Sequence, residues 1–484
     1  MIVTVIGTGY VGTVTGACLA YLGHHVTCVD TDSAKIEKLR RGVSPIYEPG
    51  LDELIALAGA RGGLAFETTL EAAVRKSDVI FIAVGTPPLP SGESNLNYLE
   101  AAARGIGAAM DTSKFRVVVN KSTVPVGSGN LVEMLVREGV LESHPEWADS
   151  IAFGVASNPE FLREGSAIED SLYPDRIVVG ADDAATLEAM RRLYAPLIEQ
   201  QFPALPFAPR PSRLETGPRR IPVVETTITS AEMIKYSANA FLALKIGFSN
   251  EMANICERVG AEVTEVMTGI GLDWRIGRAF LNAGIGWGGS CFGKDISSLL
   301  HTAAEYGYQA RILEASLVVN RMQRNVVIQK LQEKLYILKG RTVALLGLAF
   351  KPNTDDLRDA PSLQIAEKLI QMGARVRAYD PVAMDACREQ NPQLRITYCD
   401  SALAAVDHAD AVVLVTEWPE FTGLDLKQLA QRMNKPVLID GRNIFLADAA
   451  REAGFEYAGV GRAVSRPAAN GGQAGKSIPA AQTD

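Results

Sequence analysis

The sequence predicts an α/β protein built from two doubly wound parallel sheets joined by a long central helix. Three observations predict it. The chain opens as strand, glycine turn, helix, strand; the same order returns near residue 340; and a proline-free run of helical composition, residues 229 to 260, lies between them. At 484 residues, 47% apolar and 21% charged, the chain is globular and too long for one hydrophobic core. The expected division is 1–200, a loop or insertion at 201–228, a central helical region at 229–330, a second sheet domain at 331–462 and a disordered tail at 463–484.

The first unit carries the clearest ligand signal. "MIVTVIGTGYVGTVTG" passes from a β-branched run through Gly7, Gly9 and Gly12 into a small-residue helix, with Tyr10 and Val11 between the glycines. Such glycines permit a tight turn, close approach of a pyrophosphate and helix-on-strand packing, and the helix N-terminus offers free N–H groups. Asp30 follows 18 residues after Gly12 and ends the next strand, where a carboxylate accepts from ribose hydroxyls; this favours NAD over its 2′-phosphorylated form. A Rossmann-like domain is therefore expected. "DVIFIAVGTPP" (78 to 88), "FRVVVNKSTVPVG" (115 to 127) and "RIVVGA" (176 to 181) read as further buried strands, with Thr86 and Thr123 at ligand-bearing strand ends.

"ASNPEFLREGSA" (156 to 167) is a dense polar cluster. Glu160 and Glu164 stand four apart and would share a face if this turn were helical. Residues 201 to 222 hold six prolines and four arginines without periodicity and read as a loop or linker. The central run follows. It is apolar on more than one face and is expected to be buried between domains or against a second subunit. Lys235 and Asn239, four apart, stack on one face of it, and a lysine there is costly to bury without a purpose.

"GWGGSCFGKD" (286 to 295) sets Cys291 among glycines, with Lys294 and Asp295 just beyond. The glycines are expected to clear an approach for substrate. The helix that follows places the thiol at an N-terminus, and the dipole and the Lys294 ammonium would favour thiolate, a nucleophile's state. The other cysteines, Cys18, Cys28, Cys256, Cys387 and Cys399, receive no catalytic role. The second sheet unit has Gly347 in its first turn but no GxGxxG, so it is expected to hold something other than the dinucleotide. Its loops are cationic at Lys351, Arg358 and Arg442, which suits a phosphate-bearing ligand.

Composition excludes several classes. Net charge is −8, and no run of lysines and arginines could track a phosphate backbone, so nucleic acid is not an expected partner. No apolar stretch approaches the roughly 20 residues of a membrane span. The six cysteines show no CxxC and no paired spacing, which argues against a disulfide framework or a structural zinc site. A soluble, cytoplasmic protein without a metal is expected.

GxGYVG, "KSTVPVG", "NPEFLREGSA", "KYSANAF", "GGSCFGKD" and "AFKPNTDDLRDAPS", in this order over about 445 residues, resemble the nucleotide-sugar dehydrogenase family and within it the UDP-glucose 6-dehydrogenases. The resemblance implies an NAD domain, a UDP-sugar domain and a central helix that takes part in dimerisation. It implies that Cys291 is the nucleophile, with Lys235, Asn239 and Asp295 around the reacting carbon and Thr123 and Glu160 positioning water. For the cofactor it points to the glycine loop with Tyr10 and Val11, and to Asp30, Lys35, Thr86, Thr123, Glu164, Lys294 and Arg358. For the sugar nucleotide it points to Glu160, Phe161, Leu162, Arg163, Glu164, Phe280, Gly288, Phe350, Lys351 and Arg442, with Arg275 reaching in from a neighbouring subunit. Trp287 replaces the family's usual phenylalanine.

The implied chemistry is a four-electron oxidation of a primary alcohol to an acid in two NAD turnovers, with a thiol holding the intermediate aldehyde. Dehydrogenases of GDP-mannose or UDP-N-acetyl sugars, the two-electron β-hydroxyacid dehydrogenases and an NAD-binding redox sensor switched at Cys291 are the alternatives. The β-hydroxyacid enzymes need neither the cysteine nor a second sheet domain, and a sensor leaves Lys235 and Asn239 unexplained.

Overall fold

Short runs, many of them rich in β-branched residues, form the strands, and they assemble into two sheets. The computed structural model describes residues 1–211 and 220–462. Residues 212–219 of the proline- and arginine-rich segment, and the tail from 463, lie outside the described residues.

The first sheet comprises β1 (Ile2–Ile6), β2 (His25–Val29), β3 (Leu64–Glu67), β4 (Val79–Ile82), β5 (Arg116–Asn120), β6 (Phe153–Ser157), β7 (Ile177–Ala181) and β8 (Val223–Thr226). Its order is β3-β2-β1-β4-β5-β6-β7-β8. All pairs are parallel except β6 with β7, which run antiparallel. The second sheet comprises β9 (Thr342–Leu346), β10 (Arg375–Tyr379), β11 (Ile396–Tyr398), β12 (Ala411–Leu414), β13 (Val437–Asp440) and β14 (Glu456–Gly459), in the order β11-β10-β9-β12-β13-β14. Each sheet reverses its winding beside its first strand, at β1/β4 and at β9/β12. Such a reversal opens a crevice at the carboxyl ends of the strands.

The strands are apolar on both faces because helices cover both: β4, β5, β7, β12 and β13 are buried along their whole length. The central helix, Ile228–Val259, runs for 32 residues, roughly 48 Å at 1.5 Å per residue. Thr227 caps it by accepting from the Ser230 N–H, and Gly260, with φ +78°, ends it in the left-handed conformation. Its first turn lies against the first sheet, where Gly180 leaves room for Thr227 and Ile228. Its last turns place Ala253 and Cys256 in the core of the second sheet. One rod thus fixes two sheet domains.

The described part of the expected linker is packed rather than free. Leu205, Ala208 and Ile221 enter the core of the first sheet domain, and the Tyr21 hydroxyl donates to the Pro203 carbonyl at 2.7 Å.

Candidate active site

At the end of β1 the chain turns through Gly7, with φ +97°, whose N–H donates to the Val29 carbonyl at 2.8 Å. A Cβ on Gly7 would stand 2.6 Å from the Ala83 carbonyl oxygen, and one on Gly12 would stand 1.9 Å from the Gly7 oxygen. One on Gly9 would meet nothing within 4 Å. Gly7 and Gly12 therefore serve packing, while Gly9 leaves open backbone at the start of the helix Tyr10–Tyr21, which fits a pyrophosphate. Asp30 lies beside this turn. Its Oδ2 accepts from the Thr8 N–H and hydroxyl, both at 2.8 Å, and its Oδ1 from the Asp32 N–H at 3.0 Å. Burial opposes its charge, but these bonds and the Lys35 ammonium outweigh burial and hold its pKa below the ordinary value. The residues fit a dinucleotide. Val11 is half-buried on the same helix, and the Thr86 hydroxyl donates to the Thr123 carbonyl at 2.8 Å, tying the ends of β4 and β5.

The central helix delivers Lys235 and Asn239 to a second cluster, one turn apart. Lys235 is buried, and its Nζ lies 2.9 Å from Glu160 Oε1. Burial would lower its pKa; Glu160 foremost, then Cys291 and Asp295, raise it above the usual value. It is a held ammonium, not a snorkelling lysine. Glu160 Oε2 accepts from the Leu162 N–H at 2.9 Å, and the Phe161 ring lies 5.4 Å below the Lys235 ammonium. Asn239 Nδ2 donates to Asp295 Oδ2 at 2.6 Å, and Lys294 Nζ to Asp295 Oδ1 at 2.6 Å. Cys291 directly precedes the helix Phe292–Glu305, without a side-chain cap bond, and is exposed.

Three local expectations are overturned. Glu160 and Glu164 share no helical face: residues 158 to 163 are irregular and helix begins only at Ala167. The carboxylates diverge because cations of different elements hold them, Lys235 for Glu160 and Arg358 for Glu164, the latter at 3.2 Å. Nor do the glycines around the thiol clear a path for substrate. A Cβ on Gly286 would meet Asn320, one on Gly288 the Asp359 carbonyl at 2.5 Å, and one on Gly289 the Phe350 ring at 2.8 Å. They let the loop pack against its neighbours. Finally, the thiolate is not favoured: the protein packed around Cys291, and then the Glu160 carboxylate, raise the thiol's pKa against the pull of Lys235. Lys294 points to Asp295 instead.

The loop after β9 of the second sheet domain meets this cluster through Glu164. Glu164 accepts from the Thr354 hydroxyl at 3.3 Å, and burial followed by the Asp356 charge lifts its pKa to about 7. Lys351 sits over the Phe350 ring, its pKa lowered by burial. Arg163 is held by Asp170 at 2.8 Å. Arg442 donates to the Gly286 carbonyl at 3.0 Å and the Val415 carbonyl at 2.7 Å, so it anchors the loop that carries Cys291. Phe280 is half-buried at a positive φ of 62°. Arg275 is exposed and paired with Asp273 of its own chain, away from this cluster.

Three family models match consecutive parts of the chain. They are the NAD binding domain, central domain and UDP binding domain of UDP-glucose/GDP-mannose dehydrogenases, over residues 1–198, 229–322 and 344–447. A UDP-glucose 6-dehydrogenase of Rhizobium meliloti (strain 1021) is 46% identical over 466 residues, 96% of this chain and 100% of that protein. This chain belongs to the UDP-glucose/GDP-mannose dehydrogenase family. A second relative, a UDP-glucose 6-dehydrogenase of Bacillus subtilis (strain 168), is 45% identical over 462 residues, 96% of this chain and 98% of its own. A solved structure, that of a UDP-glucose dehydrogenase from Pyrobaculum islandicum, superposes with a TM-score of 0.83 at 40% identity, over 95% of this chain and 97% of that one.

Sequence reasoning missed two charges behind the cluster of this family member. Lys121, at the end of β5, is buried with its Nζ 3.0 Å from Asn158 Oδ1, and burial takes its pKa down to about 8. Glu232, one turn before Lys235, accepts from the Gly127 and Gly129 N–H groups at 2.6 and 2.9 Å, which docks the loop after Thr123 on the central helix. A lysine closing a buried β-branched run, "RVVVNK", was the available signal for the first.

Proposed function

We propose that the chain oxidises UDP-glucose to UDP-glucuronate in two two-electron steps at one carbon, with Cys291 holding the aldehyde between them. The observation that carries this is the meeting of Cys291, the Lys235–Glu160 pair and the Asn239–Asp295 pair, brought from three separated segments. Residues 1–200 hold NAD at Gly7, Gly9, Gly12 and Asp30, and NAD when bound supplies the acceptor for each hydride. Residues 331–462 hold the nucleotide. Tyr10, Val11, Lys35, Thr86, Lys294 and Arg358 complete the cofactor side; Phe161, Leu162, Arg163, Glu164, Phe280, Gly288, Phe350 and Lys351 complete the substrate side.

The chain's own residues do the rest. As the substrate's O–H proton leaves, to water held by Asp295 and Thr123, and the carbon gives up a hydride to become an aldehyde, the Lys235 ammonium and Asn239 amide stabilise the developing oxyanion. The Cys291 sulfur then bonds to the aldehyde carbon, and the thiol proton ends on the oxygen, giving a thiohemiacetal. Loss of its hydride and hydroxyl proton leaves a thioester. Glu160 takes a proton from water as that water attacks, the C–S bond breaks, and the acid and a free thiol are released. A thiol held protonated at rest resists adventitious oxidation, which follows thiolate character.

A second copy covers the central helix. Phe241, Phe248, Ile255 and Val259 form an exposed apolar stripe on it; a partner there would bring Arg275 towards the neighbouring site. Cytoplasmic residence suits six unpaired cysteines. No helix among the described residues is long and apolar enough to cross a membrane.

The test is Cys291→Ser. It should bind NADH and UDP-glucose as wild type does and lose steady-state uronate formation by several orders of magnitude, about 10⁴-fold or more. Acid quenching of wild type during turnover should trap substrate mass on the peptide that contains Cys291. Turnover of the serine variant at the wild-type rate, with two NADH per sugar, would refute covalent catalysis here.

A further inference from the structure

We propose that Glu48 is a positioning residue that couples the cofactor loop to the substrate loop, so that NAD and UDP-glucose favour each other's binding. Glu48 lies in "PIYEPG", outside every motif assigned above, and its side chain is buried. Its two oxygens hold two points of the substrate loop separately. Oε1 accepts from the Ala167 N–H at 2.7 Å, and Oε2 accepts from the Gly165 N–H at 2.6 Å. Oε2 also accepts from the hydroxyl of Tyr10, the first residue of the helix at the dinucleotide turn. The Gly165 N–H lies 2.9 Å from that same hydroxyl, so tyrosine, glutamate and amide close a triangle.

The other side of Gly165 faces the second sheet domain. With φ +82°, it stands so near Asn353 that a Cβ would come within 2.7 Å of the Asn353 carbonyl. The loop is thus gripped between Glu48 and the nucleotide domain, five residues after Glu160. Any ligand that orders Tyr10 orders Gly165, and the reverse holds by thermodynamic necessity.

The proposal rests on reading the Tyr10 turn as the cofactor site and residues 158 to 167 as part of the substrate site. Glu48→Gln is the sharpest probe, because each carboxylate oxygen accepts an amide N–H, and a carboxamide must turn an N–H₂ donor against one of them. Tyr10→Phe keeps the ring and removes only the shared hydroxyl. UDP-glucose affinity is measured calorimetrically with and without saturating NADH, for the full chain and both variants. Wild type should bind UDP-glucose about five-fold tighter or more with NADH present, and both variants should bring that ratio close to one, with Glu48→Gln still binding each ligand alone. Because the two changes break one triangle, the double variant should lose no more coupling than either single one. A ratio unchanged in the variants, or absent in wild type, overturns the proposal with the site reading intact. Wild type that binds neither ligand overturns both.

Discussion

The first turns of the two sheets share a backbone and differ in what their carboxylate can reach. Gly7 and Gly347 hold φ of +97° and +100°, and their N–H groups donate to the Val29 and Tyr379 carbonyls at 2.8 and 2.9 Å. The next N–H donates in each case to an aspartate ending the second strand of its sheet: Thr8 to Asp30 at 2.8 Å, Leu348 to Asp380 at 2.7 Å. There the likeness ends. Asp30 is half-exposed at the strand end. Asp380 is fully buried and accepts also from the Ala349, Val382 and Ala383 N–H groups and from Trp418 Nε1. Where the first turn has open backbone at Gly9, the second has buried Ala349. One topology therefore yields a ligand cradle or a sealed corner, according to whether small residues leave the carboxylate and amides facing out. This is why the UDP binding domain has no place for a second dinucleotide at that turn.

The comparison breaks most readily at Asp380. Asp380→Ala should strand five donors, four of them in buried bonds, costing roughly 3 kcal/mol or more by the usual penalty for unsatisfied groups. A large fall in Tm, with NADH affinity of the folded fraction unchanged, is the expected result. A stable variant with weakened NADH binding would invert the assignment. Asp30→Ala should do the opposite, raising the Kd for NADH about ten-fold or more through loss of a charge-assisted hydrogen bond while Tm moves little. An unaltered Kd would remove the carboxylate from the cofactor site.

The smallest effect is a pH dependence at Asp30. Its folded pKa is depressed, so the stability it adds is present above the unfolded value of about 3.9 and is lost as pH falls through the folded value. The Tm of Asp30→Asn should lie slightly below that of wild type at pH 6 and converge on it in acid below that window. A gap that widens in acid would show that the folded state raises this pKa.

Much of this was legible before any coordinates. Strand runs such as "DVIFIAV" and "RTVALLG", the central helix and the dinucleotide glycines are local patterns, and local patterns determine local structure. Lys235 and Asn239 were flagged by helical spacing and the cost of burying a lysine, and Cys291 by its glycines, the neighbouring Lys294 and Asp295 and its helix start. The partners were not legible. Nothing in "NPEFLREGSA" says that Glu160 will face Lys235, some 75 residues on, while Glu164 faces Arg358. Glu48 escaped notice for the same reason, since its three donors come from segments that only folding brings together.

The chain's own letters thus determined the elements and named the candidate residues they hold, because hydrophobic period, glycine φ and capping act over a few residues. The tertiary structure decided the charge states and the purpose of the space. It put Asp359 and Phe350 against the glycines of "GWGGS" that were expected to clear an approach for substrate. It turned Lys294 to Asp295 and left Cys291 with a raised pKa beside Glu160. Electrostatic and packing energies depend on distance in space and on desolvation, and neither is written in the order of residues along the chain.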